Sequence, residues 1–138
     1  MYGARAYSQY QKMQVNTASP GQLILMLYDA AIRWAEEGAA AFRVRELERG
    51  HGLLVRAQEA ISELATGLNM EAGGAIAENL AQLYDYAYRR LVEANVKKDP
   101  GAADETAELL SSLRDAWEQI IGRDAGRKKA AGGLNVGG

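Results

Sequence analysis

The sequence predicts an all-α protein, an antiparallel up-down four-helix bundle with an N-terminal arm or short helix packed on it and a disordered C-terminal tail. Three observations lead to this prediction. Apolar residues recur at intervals of three and four in four successive segments of similar length. No stretch of useful length alternates apolar and polar residues, as a half-buried strand would. The two prolines of the chain both stand where a helix would begin.

We divide the chain into an arm over residues 1–18, a bundle over 19–122 and a tail over 123–138. The arm holds three of the seven tyrosines, among them Tyr7 and Tyr10. A tyrosine stabilises a protein by burying its ring, and its hydroxyl can remain at the wet edge of a groove. We therefore expect the arm to dock on an apolar groove of the bundle. Two interpretations stay open: the arm completes the core, or it is a removable lid over a partner's groove.

The first predicted helix runs from Pro20 to about Phe42. Ser19 offers a side-chain acceptor at the N-cap, and Gln22 completes a capping box. The row expected to face the core comprises Leu23, Leu27, Ala31, Trp34, Gly38 and Ala41. A second apolar row is formed by Ile24, Tyr28 and Ile32. A surface helix of a small bundle needs only one such stripe, so this helix carries more apolar surface than one core contact uses.

The second and third predicted helices span about Val44 to Leu68 and about Gly74 to Lys98. The core row of the second recurs at strict sevens and comprises Leu47, Leu54, Ile61 and Leu68. The core row of the third comprises Ile76, Leu80, Leu83, Ala87, Leu91 and Ala94. Both helices also carry an extra apolar stripe, formed by Leu53, Ala57, Ala60 and Leu64 in the second and by Tyr84, Tyr88 and Val92 in the third. Together these stripes predict apolar surface that something other than the bundle covers.

The connections between the helices differ in character. Gly73 and Gly74 permit positive φ, which makes the turn between the second and third helices the loosest. Asp99 and Pro100 again place a capping side chain before a proline at the first helical position. They predict a fourth helix from Pro100 to about Ile121. Its core row comprises Ala103, Thr106, Leu110, Leu113, Trp117 and Ile120. The tail that follows is rich in glycine and basic residues, and we expect it to be disordered.

Composition excludes several functional classes. The chain has no cysteine and a single histidine, His51, so neither thiol chemistry nor multi-histidine metal ligation is available. Glu48 and His51 match one Glu-x-x-His element of di-iron bundles, but such sites need the element twice. We therefore expect no enzyme activity and no cofactor. A net charge of −2 argues against a nucleic-acid partner. Because no apolar run resembles a signal peptide or a membrane span, we expect a cytoplasmic protein that does not insert into membranes.

Several motifs occur together in this chain. They are Tyr10, the segment QLILMLYD at residues 22–29 preceded by TASP at 17–20, LYDY at 83–86 followed by RRL at 89–91, AN at 94–95, Asp99, and LRDAW at 113–117. In these motifs, their order and their spacing, the chain resembles the flagellin-specific export chaperones of bacterial flagella, the FliS family, over about residues 2–121. The glycine-rich basic tail departs from the family pattern.

The resemblance implies a chaperone of the cytoplasm that binds the disordered C-terminal segment of new flagellin in apolar grooves. The arm would move aside to admit this client. Binding would prevent premature polymerisation and assist type III export, with the export gate as a further candidate partner and the chaperone as a monomer or weak dimer. The alternative is a helical module that regulates another protein without a chaperone role.

On this basis we assign candidate partner-binding residues. Tyr7 and Tyr10 would belong to the lid. The groove or its walls would include Ala57, Leu64, Tyr84, Tyr88 and Leu91. For Tyr84 and Leu91, ordinary core packing is an equally good interpretation. Two pairs spaced four apart, Asp29 with Arg33 and Asp85 with Arg89, are expected to be surface ion pairs.

Overall fold

The computed structural model describes the backbone of residues 19–136 and the side chains of residues 19–120 and 122. This part of the chain contains no strand and forms four helices, which confirms the all-α prediction. They are α1 (Pro20–Arg43), α2 (Leu47–Thr66), α3 (Met70–Lys97) and α4 (Pro100–Val136). The predictions for the arm, including those for Tyr7 and Tyr10, lie outside the described residues.

The helices form an antiparallel bundle. The turns between them are two or three residues long, and turns of that length make successive helices antiparallel neighbours. Helix α1 packs against α2 and α4, and α3 closes the ring by packing against the same two helices. The packing of α3 is the less extensive. None of the helices in the described part of the chain combines the length and apolar content that crossing a membrane requires.

The helix starts follow the predicted capping residues. The Ser19 hydroxyl accepts a hydrogen bond from the Gln22 backbone N–H at 3.2 Å, and the Gln22 side chain accepts one from the Ser19 N–H at 3.0 Å. Asp99 accepts from the N–H groups of Gly101 and Ala102 at the start of α4. These bonds satisfy amide groups that a helix N-terminus otherwise leaves unpaired. Both predicted starts, at Pro20 and at Pro100, are confirmed.

Two helix boundaries differ from expectation. Helix α3 begins at Met70, before the predicted start at Gly74, and Gly74 kinks it with φ 53° and ψ −129°. Only glycine adopts that backbone conformation readily, so the predicted positive φ is found inside a helix. Helix α4 extends to Val136, beyond the predicted bundle end at residue 122. Residues 123–138 are rich in glycine, and each glycine costs a helix about 1 kcal/mol relative to alanine. We therefore still predict that this segment is disordered in solution.

The core consists of a few large side chains between many alanines. The largest fully buried side chains are Tyr28, Tyr84, Leu54, Ile61, Leu91, Leu110 and Thr106. Three residues predicted in core rows are instead exposed: Leu47 by 42%, Ile76 by 70% and Ile120 by 43%. Leu47 is the first residue of α2, Ile76 follows the kink and Ile120 lies far along α4, so all three stand where the packed region ends.

Helices α1 and α2 approach closely at two glycines. A Cβ atom placed on Gly50 would lie 2.4 Å from two ring carbons of Phe42, and one on Gly38 would lie 2.7 Å from the Leu54 side chain. Real Cβ atoms essentially never come this close to neighbours, so an alanine at either position would have to displace the Phe42 or Leu54 side chain. The alanines that surround the crossing are consistent with tight backbone contact.

We expect Gly50→Ala to lower the free energy of unfolding by about 1–2 kcal/mol, because overpacking outweighs the gain in helix propensity. Gly52→Ala is the matched control. Nothing lies within 4 Å of a Cβ at Gly52, so alanine there should raise the free energy of unfolding by about 0.5–1 kcal/mol. Urea denaturation of both variants checks the prediction, and stabilisation by both substitutions would contradict it.

Candidate partner-binding site

An apolar cavity opens at the end of the bundle where α1 begins. Its volume is about 220 Å³. It is lined by Ile24, Leu27, Glu63, Leu64, Gly67, Leu68, Asn69, Tyr84 and Trp117. These residues come from all four helices and from the turn after α2. We call it the bundle-end cavity.

A second cavity lies on the outer surface between α2 and α3, and we call it the α2–α3 groove. Its volume is about 240 Å³, and its lining residues are Ile61, Ser62, Ala65, Ala81, Tyr84, Asp85 and Tyr88. Tyr84 belongs to both linings, so the two cavities share a wall residue. The α2–α3 groove therefore adjoins the bundle-end cavity.

An exposed apolar row continues from the α2–α3 groove along α3. Tyr88, Val92 and Val96 follow one another at intervals of four, which places them on one face of the helix. Their exposed fractions are 38%, 39% and 76%. Apolar side chains in such a row, next to a cavity, form a larger apolar surface than scattered single residues would.

A buried tyrosine pair underlies the bundle-end cavity. The hydroxyl oxygens of Tyr28 on α1 and Tyr84 on α3 are 2.5 Å apart, and the ring centroids are 6.2 Å apart with the planes tilted by 56°. This geometry resembles the tilted arrangement that aromatic pairs prefer. Trp117 of α4 is also within hydrogen-bonding reach of both hydroxyls. The pair therefore joins helices that face each other across the bundle.

Burial controls the ionisation of this pair. Loss of contact with water raises the pKa of both hydroxyls, because a phenolate would be poorly solvated there. For Tyr28 the hydrogen bond to Tyr84 raises the pKa further. For Tyr84 the hydrogen bonds from Tyr28 and Trp117 act in the opposite direction and oppose part of the effect of burial. Both side chains are neutral at physiological pH.

We expect a late fraction in the alkaline titration of tyrosine absorbance, because Tyr28 and Tyr84 keep their protons when free tyrosine, with a pKa near 10, has ionised. The folded state then binds more protons than the unfolded state, so the free energy of unfolding falls as the pH rises above about 10. Tyr28→Phe should reduce the late fraction. A titration with no late fraction in the folded protein would contradict this expectation.

The structure distributes the predicted groove residues between core and surface. Ala57 and Leu91 have no exposed surface, so no partner can touch them in this conformation. Leu64 and Tyr84 are buried but line the bundle-end cavity, and Tyr88 is exposed beside the α2–α3 groove. The cavities thus bring together Leu64, Tyr84 and Tyr88, and leave out Ala57 and Leu91.

Several cavity residues were not among the predicted partner-binding residues. They are Ile24, Leu27, Leu68 and Trp117. Ile24 belongs to the extra apolar stripe of α1, which was the sequence signal available for it. The other three had been placed in core rows, and their position at the mouth of a cavity depends on where four helices end relative to one another.

The ion pairs lie outside the two cavities for the most part. Asp85 and Arg89 form the predicted exposed pair at 2.8 Å. The predicted pair of Asp29 with Arg33 is wrong, because Asp29 instead accepts a hydrogen bond from Arg114 of α4 at 2.9 Å. The Arg33 guanidinium lies over the Trp34 ring. The α1–α4 bridge joins two helices that pack along each other.

The lone histidine is at the opposite end of the bundle. His51 is exposed, and its Nδ1 atom lies 2.9 Å from the side-chain nitrogen of Asn95 on α3. His51 is therefore a largely solvated residue near the start of α2. Among the described residues, no three histidine or carboxylate side chains are grouped closely enough to hold a metal ion.

Comparison with known proteins gives consistent matches over most of the chain. The family described as "Flagellar protein FliS" matches residues 3–124. The flagellar secretion chaperone FliS of Bacillus subtilis (strain 168) is 38% identical over 128 residues, which cover 93% of this chain and 95% of the relative. The protein of the same name from Salmonella typhimurium is 42% identical, covering 86% and 89% of the two chains. That of Vibrio cholerae is 36% identical, covering 78% and 79%.

Proposed function

The chain belongs to the FliS family of flagellar secretion chaperones, which is a family of chaperones and not of enzymes, and from this premise we propose that it is a cytoplasmic chaperone for flagellin. Its client is the disordered C-terminal segment of newly made flagellin. Binding prevents premature polymerisation and assists type III export, and the export gate is a further partner.

The observation that carries the proposal is the apolar surface that the bundle's own core does not cover. The bundle-end cavity, the α2–α3 groove and the exposed row on α3 adjoin one another through Tyr84 and Tyr88. An unfolded segment with apolar anchor residues can cover such a surface by folding on it as a short helix. A flat or polar bundle surface would not support this mode of binding.

The physical requirements of export agree with such a site. An export substrate must remain unfolded to pass a narrow channel, yet its apolar residues self-associate if they are left uncovered. Folding on binding costs an estimated 2–5 kcal/mol of ordering free energy, which limits affinity and permits release. A groove that binds an unfolded segment with limited affinity thus protects the client and also allows its release.

Charge at the site argues against an anionic partner. The charged side chains that line the two cavities are Glu63 in the bundle-end cavity and Asp85 in the α2–α3 groove, and both are acidic. Phosphate groups would be repelled there, whereas nucleic-acid binding depends on clustered Lys and Arg. This supports an apolar peptide client over a nucleic acid.

The arm is attached beside the bundle-end cavity. Helix α1 begins at Pro20, and Ile24, little more than one turn later, lines the cavity. An extended chain spans up to about 3.5 Å per residue, so residues 1–18 are long enough to reach every part of both cavities. We propose that Tyr7 and Tyr10 cover the bundle-end cavity in the free protein and leave it when the client binds.

Deletion of residues 1–16 tests this role of the arm. We expect the bundle to remain folded, because Ser19 and all four helices are retained, and the affinity for a flagellin C-terminal peptide to rise or stay the same. Circular dichroism measures folding, and calorimetric titration measures affinity. Loss of folding would show that the arm belongs to the core, and loss of binding would show that it forms part of the client site.

The competing function is a helical module that binds a folded regulatory protein. The two functions differ in the state of the partner. An unfolded client buries much apolar surface as it folds, which gives a large negative heat-capacity change, whereas docking of a folded partner gives a smaller one. Titration at several temperatures distinguishes them.

A further inference from the structure

The buried tyrosine pair has more hydrogen-bond donors than its protein partners can accept. Each hydroxyl of Tyr28 and Tyr84 carries one hydrogen, and only one of these two hydrogens can lie in the bond between the oxygens. Trp117 supplies an indole N–H, which donates and cannot accept. Within residues 19–120, therefore, one hydroxyl hydrogen has no protein acceptor.

Position decides which tyrosine carries the free hydrogen. Tyr28 is fully buried and does not line either cavity, so a free hydrogen on it would remain unsatisfied. Tyr84 is 2% exposed and lines both cavities. Because a buried donor without a partner is destabilising, the favoured arrangement has Tyr28 donating to Tyr84 and the Tyr84 hydrogen facing a cavity.

We propose that the Tyr84 hydroxyl donates a hydrogen bond to an amide carbonyl oxygen of the client segment that fills the bundle-end cavity. The inference rests on the proposed function and adds a polar requirement to an otherwise apolar site. Carbonyl oxygens of the last turn of a short helix are free to accept, as are the side-chain oxygens of Asn and Gln. The client must therefore place such a group among its apolar anchors, and a purely apolar segment binds less well.

Three substitutions test the donor role, each measured by calorimetric titration of the full chain with a flagellin C-terminal peptide from the same bacterium. Tyr84→Phe removes the donor and should weaken binding about tenfold, because the client's carbonyl is left buried without a partner. Tyr28→Phe breaks the same bond between the tyrosines but keeps the Tyr84 hydroxyl, so its affinity should stay within about threefold of the wild type. Tyr86→Phe, at an exposed tyrosine of α3 that lines neither cavity, should leave affinity unchanged.

The outcomes separate the inference from the function on which it rests. Wild-type affinity in Tyr84→Phe would overturn the inference and indicate that water satisfies the hydroxyl. Equal weakening by Tyr28→Phe and Tyr84→Phe would also overturn it, because the effect would then come from the architecture of the pair. Failure of the wild-type chain to bind the peptide would instead count against the proposed function.

A measurement on the wild-type chain tests the same point without any substitution. The hydroxyl proton of Tyr28, held in a buried bond, should give a slowly exchanging NMR signal in the free protein. The Tyr84 hydroxyl proton, facing the cavity, should exchange with water and become visible only when the client peptide is bound. Two such signals in the free protein, unchanged by the peptide, would overturn the inference.

Discussion

Ile24→Asp is expected to weaken binding of the flagellin C-terminal segment by at least about tenfold. Ile24 is half-buried on α1 and lines the bundle-end cavity. Burial of one large apolar side chain of the client contributes about 1.5–3 kcal/mol, which corresponds to roughly ten- to hundredfold in affinity. A carboxylate at the mouth of the cavity stays hydrated and keeps water where that side chain would lie. Calorimetric titration measures the effect.

Ile76→Asp is the matched control, because it makes the same change at an isoleucine that is 70% exposed and lines neither cavity. Its affinity should remain within about twofold of the wild type, since substitution of an exposed side chain that lines neither cavity changes little. Thermal unfolding of both variants checks that the bundle is intact. Equal affinities of the two variants would show that the client does not use the bundle-end cavity.

Leu64→Asp is expected to lower the free energy of unfolding by about 3–5 kcal/mol, because it places an unpaired carboxylate in an apolar site. Leu64 is 5% exposed and belongs to the core cluster. Total stabilities are about 5–15 kcal/mol, so the variant should unfold at a much lower temperature. The amphipathic pattern alone would instead place Leu64 on a client-facing stripe, where this change would weaken binding more than stability.

Leu47→Asp provides the comparison on the same helix. Leu47 is 42% exposed at the first position of α2, where a negative charge also suits the helix dipole. Its free energy of unfolding should change by no more than about 0.5 kcal/mol. If the two variants unfolded at similar temperatures and only Leu64→Asp failed to bind the client, Leu64 would face the partner, as the sequence pattern alone indicates.

The fold was predictable because its signals are local. Ser19 and Asp99 cap helices through hydrogen bonds to backbone amides two or three residues away. Such bonds can be predicted from a few neighbouring residues of the sequence. The heptad spacing of Leu54 and Ile61 marks a core seam in the same way, and both are fully buried. Ends of helices are less predictable, as exposed Leu47 shows, because the packed region stops where neighbouring helices stop.

The candidate site was only partly predictable because it depends on distances between helices. The extra stripes of α2 and α3 look alike in sequence, yet Ala57 is sealed in the core and Tyr88 is exposed. That difference follows from the rotation of each helix and from how closely α3 approaches its neighbours. Likewise, no local pattern shows that Tyr28 and Tyr84, 56 residues apart, share a hydrogen bond.

Calorimetric titration of the full chain with the C-terminal segment of flagellin from the same bacterium, at several temperatures, decides whether the apolar surface of the bundle binds an unfolded client. We expect saturable binding with a large negative heat-capacity change, because apolar surface on both partners leaves water as the segment folds. Ile24→Asp should reduce this binding and Ile76→Asp should not. Absence of binding, or binding with little heat-capacity change and no effect of Ile24→Asp, would show that the bundle does not bind such a client.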